Sequence, residues 1–313
     1  MKECSTSGNA VLGSGGKAST MHGMSGETLV RLLDTWLSQR LKGEAWQWLQ
    51  DACARVAQLE PAASERALVL AFAAAGRRVG RQDLSPVADE LAQAGELITH
   101  WQPRAWSLDQ LARVRLVLSL RDADPTSWLN TLDKLFAASG LEELVALYQG
   151  LPLLPHGDRL KERAAEGIRA NMRSVFAAVA LDNPYPERWL EQGPWNQMVL
   201  KCLFVDCPLG RIIGLERRAN AALTRMLCDY AHERWAAKRV VNPQLWRPVG
   251  VCIDAGALKD FERLLEQGGP ADRQAAALAL GGSGAPAAQA LLARHPGEAA
   301  AAASGQLLWD ALV

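Results

Sequence analysis

The sequence predicts an all-α protein, a helical-repeat (HEAT-like) α-solenoid or elongated multi-helix array, and three observations carry that expectation. From Glu27 onward apolar residues recur at spacings of three and four; no run alternates β-branched and aromatic residues as strands do; and the last sixty residues break into short periodic pieces at Gly and Pro. The chain of 313 residues thus divides into a disordered tail or over-extended start at 1–24 and an all-helical region at 25–313, with HEAT-like helices at 255–313. A closed bundle is the alternative, and the shortness and serial spacing of the pieces favour the solenoid.

The tail expectation rests on its Gly, Ser and Thr content and on Met21 and Met24 standing just ahead of the first helical pattern. That pattern places Leu29, Leu32, Leu33, Trp36 and Leu37 on one stripe and Arg31, Asp34 and Gln39 elsewhere, and Gly43 ends it. Trp46, Leu49, Ala52, Cys53 and Val56 give a second stripe, and Pro61 opens a third helix running to about Gly76. Ser85 with Pro86, Ser107, and Asp124 with Pro125 each read as a capping side chain just before a periodic run. Another amphipathic helix is expected from Ala221 to Arg239. At the C-terminal end, pieces at 255–267, 271–280, 285–294 and 298–312 are spaced like stacked antiparallel pairs.

Thirty-four basic residues balance thirty-four acidic ones, so no global positive field gathers nucleic acid or an anionic membrane. The uninterrupted apolar runs, such as Leu68 to Ala75 and Val175 to Leu181, fall far short of the roughly 20 residues a spanning helix needs. An integral membrane protein is not expected. The N-terminal residues lack the apolar stretch of a signal peptide, which points to a cytoplasmic protein with its six cysteines as free thiols.

Between about Gly150 and Gly250 large aromatics, Asn, His and charged residues enter helices that are elsewhere plain Ala and Leu, and a ligand groove is expected there. Glu166, Arg169 and Arg173 stand at spacings of three and four, hence on one helical face if the helix runs through, with Asn171 between them. They suit an anion or simple mutual pairing. Gly167 weakens that helix by about 1 kcal/mol relative to Ala and suggests close approach by a backbone or a ligand. Asn183 and Tyr185, interleaved with Pro184 and Pro186, form a rigid corner.

Lys201, Arg211, Arg217, Arg218, Arg247 and Arg169 supply cations for phosphate or carboxylate, and Tyr185, Trp195, Tyr230, Trp235 and Trp246 supply apolar faces for a prenyl or aromatic portion. Asn196 and Asn220 complete the expected groove. The alternative is that the tryptophans anchor helix packing and the arginines cover the surface. His156, in a loop, and His232, beside an apolar face, are the proton-transfer candidates, each with a packed histidine as its alternative.

Cys202, Cys207, Cys228 and His232 could in count hold a structural zinc, although the tight CxxC hairpin is missing. No carboxylate cluster for magnesium–diphosphate chemistry, glycine-rich phosphate loop or nucleophile elbow occurs, so neither a cofactor nor a standard catalytic centre is expected.

Several stretches resemble those of the EboA family: LRDADPTSWL (120–129), LPLLPH (151–156), RAAEGIRANM (163–172), NPYP (183–186), WNQMVLKCLF (195–204), RRAN (217–220) and YAHERWAAKRVVNPQLWRPVG (230–250). Proteins of this type are encoded in a bacterial and algal operon beside a UbiA-like prenyltransferase, a dehydroquinate-synthase-like enzyme and TIM-barrel hydrolases or isomerases. The resemblance therefore implies a pathway context, with enzymes of the same operon and a small-molecule intermediate as partners. It implies no catalytic residue. The expected role is a non-catalytic accessory protein of small-molecule biosynthesis or export. The rivals are an enzyme with an unfamiliar all-helical site around His156, Glu166, Arg169 and His232, acting on a prenylated or anionic substrate, and a pure scaffold.

Overall fold

A computed structural model describes residues 18–312, with side-chain surroundings from Gly26 on. Most of the expected tail at 1–24 lies outside the described residues. Within them the chain is all-α, with one isolated bridge between Asp83 and Ser107. The helices are α1 (Ala18–Arg40), α2 (Glu44–Gln58), α3 (Pro61–Arg78), α4 (Ala88–Leu97), α5 (Leu108–Val117), α6 (Pro125–Ala138), α7 (Leu141–Gly150), α8 (Lys161–Arg169) and α9 (Arg173–Ala180). They continue as α10 (Tyr185–Trp189), α11 (Gln192–Phe204), α12 (Ala221–Ala236), α13 (Trp246–Val249), α14 (Ala255–Gln267), α15 (Pro270–Gly281), α16 (Pro286–Ala293) and α17 (Pro296–Ala303). No helix among the described residues is long and apolar enough to cross a membrane.

The packing order follows the chain. Helix α2 lies on α3, α3 on α5, α5 on α7 and α7 on α9; α9 meets α8 and α11, and from there contacts pass through α12 and α14 to α15, which holds α16 and α17. The apolar stripe read at the start of the helical region is the buried one, since Leu29, Leu33, Trp36 and Leu37 are all 5% exposed or less. α5 is sunk deepest: even its Arg113 and Asp109 are buried, as an ion pair with Ser107 Oγ donating to Asp109 at 2.5 Å and Arg113 Nε donating to the Phe72 carbonyl at 3.2 Å. A buried pair of charges is tolerated where further hydrogen bonds support it, as Ser107 and the Phe72 carbonyl do here.

Local chemistry sets most boundaries. Asp124 caps α6 by accepting from the Thr126 and Ser127 amides, with Pro125 at the first helical position, and Asp254 does the same for α14 through Gly256 and Ala257. Ser85 corrects the sequence reading: it sits at φ 46°, and α4 starts beyond Pro86, where Glu90 reaches back to the Val87 amide at 2.9 Å. The expected run of α12 to Arg239 stops at Ala236, and Lys238 turns at φ 55°. The expected piece 298–312 is helical only to Ala303, after which Gly305 takes φ 70° and a short 3-10 turn forms at Trp309–Ala311. The helix through Glu166, Arg169 and Arg173 is also broken, since residues 170–172 separate α8 from α9.

Candidate functional site

The cations expected to gather in one pocket are instead spent at helix ends and in separate pairs. Lys201 donates from Nζ to the Ile168 and Ala170 carbonyls at 2.6 and 2.8 Å, closing the end of α8, and burial lowers its pKa. Arg218 donates to the Pro186 and Glu187 carbonyls of α10 while its guanidinium lies 4.6 Å from the Trp195 ring centre. Arg173 donates to the Val205 and Asp206 carbonyls at the end of α11. Arg217 pairs with Glu187 and Arg247 with Glu216, whereas Arg169 and Asn171 are exposed. Glu166 pairs with Arg163, not with Arg169. The physical reason is that an α-array has many unsatisfied carbonyls, and a long cationic side chain reaching one is held there.

The aromatic candidates are likewise built into the core. Trp195, Trp246 and Tyr185 are 1% exposed or less. Trp246 stacks on Trp235 at 5.7 Å and meets Phe261 at 5.4 Å, and Tyr185 donates its hydroxyl to the Gly157 carbonyl at 2.6 Å. Burial drives the Tyr185 pKa far upward, so this phenol stays protonated. Tyr230 is half-buried, edge-on to the exposed Phe204 at 5.1 Å.

Each candidate histidine faces a carboxylate. His156 lies at φ 56° with Nε2 2.7 Å from Asp122 Oδ1, edge-on to Trp128, and His232 Nε2 lies 2.7 Å from Asp260 Oδ1. Burial, together with the same Asp260 that the Cys228 thiol approaches, pushes the pKa of that thiol far up, and burial does the same to Cys202. Such thiols are poor nucleophiles and poor metal ligands. Among the described residues no three His, Cys, Asp or Glu side chains share a place that could hold an ion, so Cys202, Cys207, Cys228 and His232 are not brought together.

Among the cavities the fold opens is one of about 300 Å³ between α5, α7 and α9, with the turn after α9 and the exposed Arg211 at its rim. Its walls are held close by two glycines. A Cβ at Gly150 would stand 2.7 Å from Val114 of α5, and one at Gly167 would stand 2.6 Å from Val179 of α9 and 2.7 Å from Tyr148 of α7. The close approach suggested by Gly167 is therefore that of neighbouring helices. Asn183, 4% exposed, staples the two walls: its Nδ2 donates to Tyr148 of α7 at 3.0 Å and to Ala178 of α9 at 2.9 Å, and its Oδ1 accepts from the Tyr185 amide at 2.9 Å. This expected site residue lines the cavity with all its capacity for position already used.

At the rim, Asp182 takes the left-handed φ of 51°, its amide donates to the Arg211 carbonyl at 2.8 Å, and Arg211 returns both Nε and Nη2 to Asp182 Oδ2. Asp is among the residues that tolerate this region, and here the two-way bonding with Arg211 holds it. Gln102, from the loop before α5, and Gln149, from α7, also line the cavity, each with its amide oxygen closed off from solvent. Trp106, Val145 and Leu181 give apolar wall between these polar groups.

Sequence reasoning missed Gln102, Gln149 and Trp106 because they lie upstream of the segment rich in Arg, Trp and His. Uncharged glutamine leaves no trace in a charge or motif search. The one available signal was a glutamine facing an apolar stripe.

The family model described as "Metabolite traffic protein EboA" matches residues 29–250, well over half of the chain and the whole of the cavity wall. No curated protein and no solved structure matches.

Proposed function

Since the chain belongs to the EboA family, the metabolite traffic proteins, we propose that it is a cytoplasmic accessory protein that binds a small-molecule pathway intermediate without converting it, in the cavity between α5, α7 and α9. The observation that supports this reading is an open cavity between α5, α7 and α9, lined by Gln102, Trp106, Gln149 and Asn183 and lying wholly within the residues that match the family. Catalysis gains no comparable support, because the two histidine–carboxylate pairs stand outside this cavity and the buried thiols are held protonated. Enzymes of the same operon are the proposed donors and acceptors of the carried compound.

The test is retention. Purified protein incubated with cell extract and rapidly desalted is expected to keep a small molecule, detected by native mass spectrometry, that the folded double variant Gln102→Leu with Gln149→Leu does not keep. Conversion of the retained compound would defeat the carrier reading in favour of an enzyme. Co-purification of an operon enzyme with nothing retained would favour a scaffold.

A further inference from the structure

We propose that the open groove between the end of α11 and the second half of α12 docks an acidic segment of a partner protein, which enters with a large apolar side chain flanked by carboxylates. The proposal is independent of the cavity between α5, α7 and α9.

Apolar side chains left in solvent give the first reason. Phe204, the last residue of α11, is 65% exposed, and Val240, just beyond α12, is 81% exposed. Single exposed apolar residues are ordinary. These two border one groove: Phe204 lines it with Leu203 and Tyr230, its ring edge-on to Tyr230 at 5.1 Å, and Val240 follows the lining residue Arg239. Aromatic rings and arginine are the side chains on which protein contacts most often anchor.

The turn that carries Val240 is clamped in place. The Lys238 amide donates to the Trp235 carbonyl at 2.9 Å and the Arg239 amide to the Arg234 carbonyl at 2.8 Å, which closes α12. Arg234 Nε and Nη2 then donate to the Val240 carbonyl at 3.0 and 2.7 Å. The rim is thus set before a partner arrives, and docking has little backbone left to order.

Charge selects the partner. Arg234 and Arg239 line the groove against one acid, Glu233, and Lys238 stands beside them. Along α12 the acids Asp229 and Glu233 come before the turn, so the positive excess lies at the turn itself. Among the described residues the side chains of Lys238 and Arg239 have neither an ion pair nor a hydrogen bond, and both are exposed. Lys201, Arg173 and Arg218, by contrast, are held by carbonyls. A carboxylate accepts two hydrogen bonds from an arginine fork, which suits Arg239 to an Asp or Glu next to the apolar anchor. A second copy of this chain would set the same positive rim against itself. A bilayer surface would use the proud Val240 and leave the recess beside Tyr230 unfilled.

The experiment follows the full chain by fluorescence anisotropy with three fluorescein-labelled octapeptides. The first has Leu and Phe at its centre between Glu and Asp residues, the second has that central pair replaced by Ser, and the third has every acid replaced by Lys. The first is expected to bind about tenfold more tightly than either control, and to weaken as salt rises from about 50 to 200 mM. Phe204→Ser and Arg239→Glu are each expected to lose about fivefold or more. Arg225→Glu, which reverses an exposed cation of the same helix outside the groove, is expected to change binding by less than about twofold. All three positions are exposed, so melting temperatures should match that of the unaltered chain. Equal affinity for the three peptides, no binding of the first, or a loss in Arg239→Glu no larger than in Arg225→Glu would overturn the proposal. So would Phe204-dependent binding to vesicles of phosphatidylserine and phosphatidylcholine, or Phe204-dependent self-association in sedimentation, where the acidic peptide does not bind.

Discussion

Asn196 and Asn220 exchange hydrogen bonds amide to amide, each donating from Nδ2 to the other's Oδ1 at 3.2 and 3.0 Å. Asn220 is at the same time the cap of α12, its Oδ1 accepting from the Leu223 amide at 2.9 Å, while Asn196 sits on α11 only 4% exposed. Two residues that a sequence reader assigns to a ligand are thus the joint between consecutive layers of the array.

Asn220→Ala removes a helix cap, worth about 1 kcal/mol, and strands a buried amide, worth about 1–3 kcal/mol. Denaturant unfolding is expected to show a loss of about 2–4 kcal/mol. Asp124→Ala removes an exposed cap only and serves as comparator. Equal losses in the two variants would mean the amide pair contributes nothing.

Glu90 holds α4 to α1: Arg40 donates to both of its oxygens at 2.9 and 2.6 Å, and the Val87 amide adds a third bond. The Arg40 hydrogen bonds hold the Glu90 pKa below its ordinary value. A carboxyl depressed on folding contributes its stability in full above the ordinary carboxylate range, and that contribution is lost as pH falls through the depressed value. Glu90→Gln is expected to flatten the acid side of the stability curve. An unchanged acid limb, with the neutral-pH loss still present, would contradict the assignment.

Gly167→Ala and Gly297→Ala should move stability in opposite directions. The first drives a methyl to within 2.7 Å of Val179 and Tyr148, and overpacking of this kind costs about 1–3 kcal/mol. The second adds a methyl to α17 where nothing lies within 4 Å, and a helical Gly→Ala in open space gains up to about 1 kcal/mol. Melting temperatures shifting the same way would show that packing at Gly167 is looser than the contacts indicate.

Trp246 is fully buried, and its indole nitrogen has no partner. Trp246→Ala is expected to cost about 3–5 kcal/mol through the cavity it leaves. Trp246→Phe should cost clearly less, because it keeps the ring contact with Phe261 and removes the orphaned donor. The pair is read by chemical denaturation. Loss of ligand binding in the alanine variant would therefore report on the core and not on a contact.

Helical spacing carried the fold well. The stripe at Leu29 to Leu37, the Pro-led starts of α3 and α6, and the C-terminal pieces at 255–267, 271–280 and 285–294 were legible, because periodicity and capping act within a few residues. Ser85 was not: it takes a left-handed φ where Arg40 of α1, remote in sequence, donates to the Leu84 and Ser85 carbonyls. The site was read less well for a related reason. Whether Lys201 faces solvent, a ligand or the end of α8 depends on where the Ile168 and Ala170 carbonyls fall, which no local pattern records. Arg211 was noticed as a cation, but its neutralisation by Asp182 from 29 residues upstream was not.

The contact of Gly250 with α15, where an added Cβ would stand 2.8 Å from the Ala279 side chain and 2.9 Å from its Cα, crosses the point at which the family match ends. Trp246 against Phe261, His232 against Asp260, and Gln244 donating to the Trp309 and Leu312 carbonyls cross it too. Sequence kinship and folding autonomy thus have different borders in this chain. A fragment cut at residue 250 would turn its own interior outward and is expected to elute as aggregate on size exclusion. The last four helices are not a detachable accessory but the other half of a wall.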